Sequence, residues 1–340
     1  MKQKISVIVG IRKTVIAGLT RNPLPIVKHL LTNIMGLRVK PAMTDVFVPA
    51  MTVLLALFTA CTEPIDINTD DSAPVIVIYG TLTNEYKYQE VMISRSSPYF
   101  DDEPNQGISG AQVTVQSSNN DIYHFLEDDS IQGLYYSRNK FSAQIGVDYA
   151  LSVEVDFDKD GIPDKYEASA TVLPAVVPDS LSLDLVEMFG HKNYLLYLYA
   201  QDPPEENFYL FRVLHNDSLL TSKISRLIIS DDALFPGQYM KGNLYRFDDI
   251  SNWEADPEEN RERSVYLRPG DTIETEISLI SKGYFDFISQ CQREQSGENP
   301  MFGGPASNIE TNISNGGVGY FAGYCISRTS IVFEPDAKNK

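Results

Sequence analysis

The residues with the clearest chemistry lie in one run, Asp156-Phe157-Asp158-Lys159-Asp160-Gly161-Ile162-Pro163-Asp164-Lys165-Tyr166-Glu167. Acids stand at its first, third, fifth, ninth and twelfth positions and glycine at its sixth, the spacing of a twelve-residue calcium loop. A hard divalent cation takes about six to eight oxygens, and acids on alternate residues aim several carboxylates inward. Gly161 permits the sharp turn, and Ile162 offers a backbone carbonyl. Asp164 would act directly or through a water, and Glu167 would coordinate through both oxygens. The candidate ligands are therefore Asp156, Asp158, Asp160, Ile162, Asp164 and Glu167. The flanks read as strands, not helices, so a hairpin turn that uses Asp and Gly for geometry alone is the competing reading.

Other reactive residues are scattered. His124, His191 and His215 follow residue 60, each alone in the sequence. No nucleophile elbow, H-E-x-x-H pair, phosphate loop or dinucleotide G-x-G-x-x-G occurs. Carboxylate-pair glycosidase chemistry is not constrained by spacing in sequence, but nothing else points to a reaction. The sequence therefore favours a non-enzymatic role.

A third chemical feature is Leu54-Leu55-Ala56-Leu57-Phe58-Thr59-Ala60-Cys61, an apolar run and two small residues before a cysteine. It reads as the end of a bacterial lipoprotein signal, with Cys61 the lipid-bearing first residue of the mature chain. The uncharged stretch from Val46 to Ala60 is 15 residues long, which suits a signal core and is short of the ~20 needed to span a bilayer. Residues 1–60 form the signal region. Within it, residues 1–34 read as translated intergenic sequence ahead of a true start at Met35, Met43 or Met51. Met35 serves best, since Arg38 and Lys40 then supply the basic end.

Charge divides at the same point. The chain carries 28 Lys+Arg and 46 Asp+Glu, a net charge of −18. Residues 1–60 hold eight basic side chains and one acid, so the rest holds 20 and 45, a net charge of −25. Such a surface repels nucleic acid and anionic lipid and suits solubility and divalent cations. With Cys61 lipidated, Cys291 and Cys325 are left as an even pair in an exported protein, and a disulfide between them is expected. Two buried free thiols are the alternative.

The elements that must position these residues are mostly strands. Residues 61–73 are acidic and aperiodic and read as a tether. Residues 74–173 show seven short strand signals separated by turn residues, which predicts a β-sandwich. The order of Val113-Thr114-Val115, Gly133-Leu134-Tyr135 and Gly146 to Leu151 is similar to immunoglobulin- and prealbumin-like binding or spacer modules. Pro174 and Pro178 mark a boundary. Residues 174–340 read as a second, mostly-β domain, with strands at 194–199, 208–213, 224–229, 264–267, 272–278 and 320–333. One helix is expected near 280–296, because Ile280, Tyr284, Phe287, Ile288 and Cys291 share a helical face and Ser281 can cap it. The fold class is thus mainly β with one α-helix.

Two further stretches carry a family resemblance. They are Ile93-Ser94-Arg95-Ser96-Ser97-Pro98-Tyr99-Phe100 and the run from Pro305 through Gly316-Gly317-Val318-Gly319-Tyr320 to Tyr324. With the lipobox, they resemble a Bacteroidetes outer-membrane lipoprotein family catalogued as a domain of unknown function, the one numbered four-two-four-nine. The resemblance implies a lipid-anchored outer-membrane protein working beside a TonB-dependent transporter. It supplies no catalytic residues. The core of the acidic loop also resembles thrombospondin type-3 calcium repeats, in a single copy. Asp71-Ser72-Ala73, and four tripeptides like it, resemble an O-glycosylation acceptor pattern, with Ser72 in the tether as the candidate site.

Overall fold

Alternation of buried and exposed positions dominates the chain after residue 74, and it sets nearly every strand. A computed structural model describes residues 74–335, apart from 97–104, 189, 234–235, 255, 257, 259–263 and 297–308. The signal region, Cys61, the tether and Ser72 lie outside the described residues.

The first seven strands are β1 (Ile76–Thr83), β2 (Glu90–Arg95), β3 (Gln112–Ser117), β4 (Ile122–Glu127), β5 (Leu134–Ser137), β6 (Asp148–Val155) and β7 (Asp164–Thr171). They match the seven sequence signals. They form one curled sheet, joined at its edge by a strand from near the C-terminus, β16 (Val318–Tyr324), in the order β16-β1-β2-β5-β4-β3-β6-β7. β16 runs parallel to β1 with Ile78 opposite Gly319, and every other pairing in this sheet is antiparallel. Just past β7, Leu173 bridges to Tyr324, so the sheet curls until its two ends meet. Ile78, Val91, Val115, Tyr135, Leu151, Val153 and Phe321 fill the interior.

The rest of the chain forms two more sheets and a helix. β8 (Pro178–Met188), β9 (His191–Gln201), β13 (Tyr239–Asp249) and β14 (Tyr266–Leu267) make one sheet in the order β14-β13-β9-β8. β10 (Phe208–His215), β11 (Ser218–Leu219), β12 (Ile228–Asp231), β15 (Thr272–Ile280) and β17 (Ser327–Val332) make the other. The two bury Leu196, Leu198, Tyr209, Phe211, Val213 and Ile277 between them. The helix α1 (Lys282–Ser296) packs Tyr284, Phe287 and Ile288 on Tyr320 and Tyr324 of β16. The Ser281 hydroxyl accepts from the Tyr284 amide at 3.3 Å, the cap its position called for.

Several expectations are corrected. The boundary at residue 174 does not separate two compact units: the described residues on both sides of it cluster as one, and β16 belongs to the first sheet. The last strand, read as 320–333, is two strands in different sheets. The segment read as a strand at 224–229 is a 3-10 turn over Ile224–Arg226 followed by β12. The Cys291–Cys325 disulfide does not form, and both thiols are free. Cys325 is buried inside the curled sheet, whereas Cys291 packs on the aromatic cluster under α1, outside that sheet. Burial pushes the Cys291 thiol up to about 12.

Candidate metal centre

The acidic loop sits at the tip of the β6–β7 hairpin. The ladder ends with Val155 opposite Asp164, so residues 156–163 are the turn itself. Lys159 and Gly161 take positive φ, 64° and 91°. A Cβ at Gly161 would meet nothing within 4 Å, so glycine serves conformation there, not space. Each aspartate commits one oxygen to the turn. Asp156 Oδ2 accepts from the Gly161 amide at 3.1 Å, Asp158 Oδ1 from Asp160 at 3.1 Å, and Asp160 Oδ1 from Ile162 at 2.8 Å. Arg95 of β2 donates to the Phe157 carbonyl at 2.9 Å and lies 4.3 Å from that ring's centroid, tying the loop to the sheet.

Asp156, Asp158 and Asp160 converge, each with a ligand oxygen within 4.8 Å of the others. Two oxygens on one calcium, each at about 2.3–2.6 Å, are separated by at most about 5 Å, so the spacing fits a shared cation. Asp156 Oδ1 is buried without a hydrogen-bond partner, the kind of acceptor a cation would satisfy. Of the other expected acidic ligands, neither Asp164 nor Glu167 is in this group. Asp164 is turned to the Phe157 amide at 3.4 Å. Glu167 lies three residues up β7, opposite Ser152, and pairs with Lys165 at 2.6 Å. A twelve-residue loop returns its last acid through a helix. Here a strand begins at the ninth position and carries Glu167 about 10 Å away. Ile162 is exposed at the turn, its amide bonded to Asp160.

Three carboxylates completed by water would at most make a weak site, one that about 0.1–1 mM calcium would be needed to fill. Calorimetry should show calcium binding in that range, and Asp158→Ala should weaken it at least tenfold. No heat at millimolar calcium would remove the site.

The three histidines either pair with an acid or stand exposed. His215 meets Asp271 at 2.9 Å, beside an Asn216–Asp271 bond of 2.9 Å that closes a turn. His191 meets Asp256 at 3.4 Å, and His124 is exposed on β4. Asp202 and Asp232 form a carboxyl pair in hydrogen-bond contact. Burial first, and then Asp232, raise Asp202 above the usual carboxylate range, against the Tyr209 hydroxyl and Gly237 amide that lower it. Glycosidase pairs stand about 5–9.5 Å apart to admit a sugar or a water; here the two carboxyls are in contact, Asp202 buried and Asp232 half-buried. Of the acceptor-like tripeptides, Ser180, Ser218 and Thr272 lie in strands β8, β11 and β15, and Ser130 in a turn.

A family model described as Domain of unknown function (DUF4249) matches residues 62–330. The chain belongs to that family. The DUF4249 match spans the whole described unit except its last strand residues and a short tail. No curated protein matches the chain. Among solved structures, a Parabacteroides merdae beta-glucuronidase aligns at 8% identity with a TM-score of 0.20, over 62% of this chain. This chain spans 23% of that enzyme's length, and so slight a likeness bears on neither fold nor activity.

Proposed function

We propose that this DUF4249 protein is a non-enzymatic lipoprotein, anchored to the outer membrane through Cys61 and accessory to a TonB-dependent transporter. The observation that carries the reading is the coincidence of two boundaries. The apolar signal pattern ends at Cys61, and the family match begins at residue 62. The acidic tether then leads directly into β1. Among the described residues no helix is long and apolar enough to cross a membrane, which is compatible with attachment through lipid.

Labelling with a lipid analogue tests the anchor: Cys61→Ser should abolish incorporation and release the protein from membranes. Affinity capture from outer membranes tests the partner, and recovery of no transporter would overturn the accessory role. A second reading, a cell-surface glycan- or protein-binding module, is favoured by the outer face of the β8–β9–β13 sheet. There Lys241 lies 4.7 Å and 5.6 Å from the ring centroids of Tyr197 and Tyr199, with Tyr239 exposed nearby. Retention on a polysaccharide that Tyr197→Ala abolishes would replace the first reading with this one.

A further inference from the structure

Beneath the 3-10 turn at Ile224–Arg226 lies a cavity of about 80 Å³, walled by β1, β10, α1 and β16. It is independent of the anchor and of the acidic loop. Five segments deliver its polar lining: Tyr79 from β1, Arg212 from β10, Ser222 before the turn, Tyr284 from α1 and Tyr324 from β16. Leu210, Ile224 and Leu227 supply the apolar wall. The turn is fastened to the helix, since the Gln292 side-chain amide donates to the carbonyls of Ile224 at 2.9 Å and Leu227 at 2.8 Å.

The chemistry of this lining is that of a donor set. Tyr79 and Tyr284 hydroxyls are 2.6 Å apart, so one proton lies between them and the other remains to be given. Burial above all raises all three phenols, which keeps them protonated at neutral pH. Arg212 carries five N–H donors. Its ion-pair partner among the described residues is Glu276, at 3.2 Å from Nη1. Glu276 spends its other oxygen on Arg328, at 2.6 Å and 3.0 Å. A guanidinium facing a cavity, with most of its donors unspent and hydroxyls around it, matches the oxygens of an anion.

Size and charge narrow the class. At about 10–15 Å³ for each water-sized site, the cavity admits on the order of six non-hydrogen atoms. One cation already shared with Glu276 balances a single negative charge better than two. The apolar wall suits a hydrocarbon stub. We propose that the cavity binds a short-chain monocarboxylate, its carboxylate on Arg212 and the tyrosine hydroxyls and its carbons against Leu210, Ile224 and Leu227.

The test is calorimetry and thermal unfolding of the full chain with sodium acetate and sodium propionate, against sodium chloride at equal ionic strength. Either carboxylate should raise the melting temperature by several degrees at saturation, and chloride should not. Arg212→Met should weaken binding at least tenfold, since it removes charge-assisted hydrogen bonds. Tyr324→Phe, which removes one hydroxyl and preserves the ring, should weaken it severalfold, and it stands as the test if Arg212→Met does not fold. No difference between acetate and chloride up to roughly 100 mM overturns the proposal. So does acetate binding that both variants leave unchanged. Stabilisation by inorganic phosphate exceeding that by acetate also overturns it, because the site would then be one for a tetrahedral oxyanion.

Discussion

Gly319→Ala is expected to cost about 4 kcal/mol or more, a large share of the roughly 5–15 kcal/mol that holds a folded domain together. Two independent conflicts add. Gly319 has φ of +111°, a conformation open to glycine and strained for any other residue. A Cβ there would stand 2.0 Å from the Ile78 carbonyl oxygen, and the obstacle is backbone, which cannot rotate away. Gly319 faces Ile78 in the parallel β1–β16 ladder, so relief of the clash means parting those strands. Phe321 would then leave the core of the first sheet, and Tyr320 and Tyr324 would lose their seat under α1. Gly316→Ala is the control. Its φ is +73°, but nothing lies within 4 Å of the added carbon, so about 1 kcal/mol is expected. Thermal unfolding of the two variants checks the contrast. Equal melting temperatures would mean that β16 is not welded to β1.

That pairing explains why part of the fold was legible in the sequence and part was not. Seven short strands and α1 could be read because each is set by local alternation or a local stripe. Tyr284, Phe287, Ile288 and Cys291 share one helix face in the structure as in the pattern. The β1–β16 ladder joins residues about 240 positions apart, as with Ile78 and Gly319, and no local signal carries such a pairing. The apolar run from Tyr320 therefore read as one strand. Its break falls at Cys325 and Ile326, where the Asn84 side chain holds the Ile326 amide at 2.8 Å and the chain passes to another sheet.

β8 and β13 escaped notice for different reasons. β8 is half-exposed, with Asp179, Asp184 and Glu187 interrupting its apolar positions, and it opens on a proline, which a first position on an edge strand tolerates. β13 carries a bulge between Asn243 and Tyr245 that breaks its period. In the candidate metal loop, the three aspartates at alternate positions were legible because the turn they build is local. Glu167 was not, because its place depends on where the strand resumes. The cavity residues Tyr79, Arg212, Tyr284 and Tyr324 form no motif at all. The nearest signal was a lone arginine in the apolar strand Phe208–His215.

Arg328→Met is expected to destabilise the protein by about 2–4 kcal/mol at neutral pH, and the loss should shrink in acid. Arg328, on β17, is the hub of a charge network. It meets Glu85 at 2.5 Å, Glu276 at 2.6 Å and Glu274 at 3.3 Å, while Lys87 supports Glu85 at 3.0 Å. Glu85 follows β1, and Glu274 and Glu276 lie on β15, so the hub clasps the first sheet to the second. Methionine keeps the aliphatic stem and removes the charge. Three carboxylates then face one another with only Lys87 and Arg212 beside them, and Glu276 is buried. An uncompensated buried charge costs about 3–5 kcal/mol, reduced here because Arg328 is 39% exposed and solvent screens it. For a unit of this size that is a fall of roughly 5–15 °C in melting temperature. The pH dependence follows from Glu85. Burial alone would raise its carboxyl, but Lys87 and Arg328 outweigh burial and hold it below its ordinary value of 4.5. A group held low binds its proton less readily folded than unfolded, so its stabilisation is full above pH 4.5 and drains as pH falls below it. Without Arg328 much of that depression disappears. The wild-type and Arg328→Met melting curves should therefore lie far apart at pH 7 and approach each other toward pH 3. A gap that is the same at both pH values would show that Arg328 acts through packing of its stem, and that charge does not hold the two sheets together.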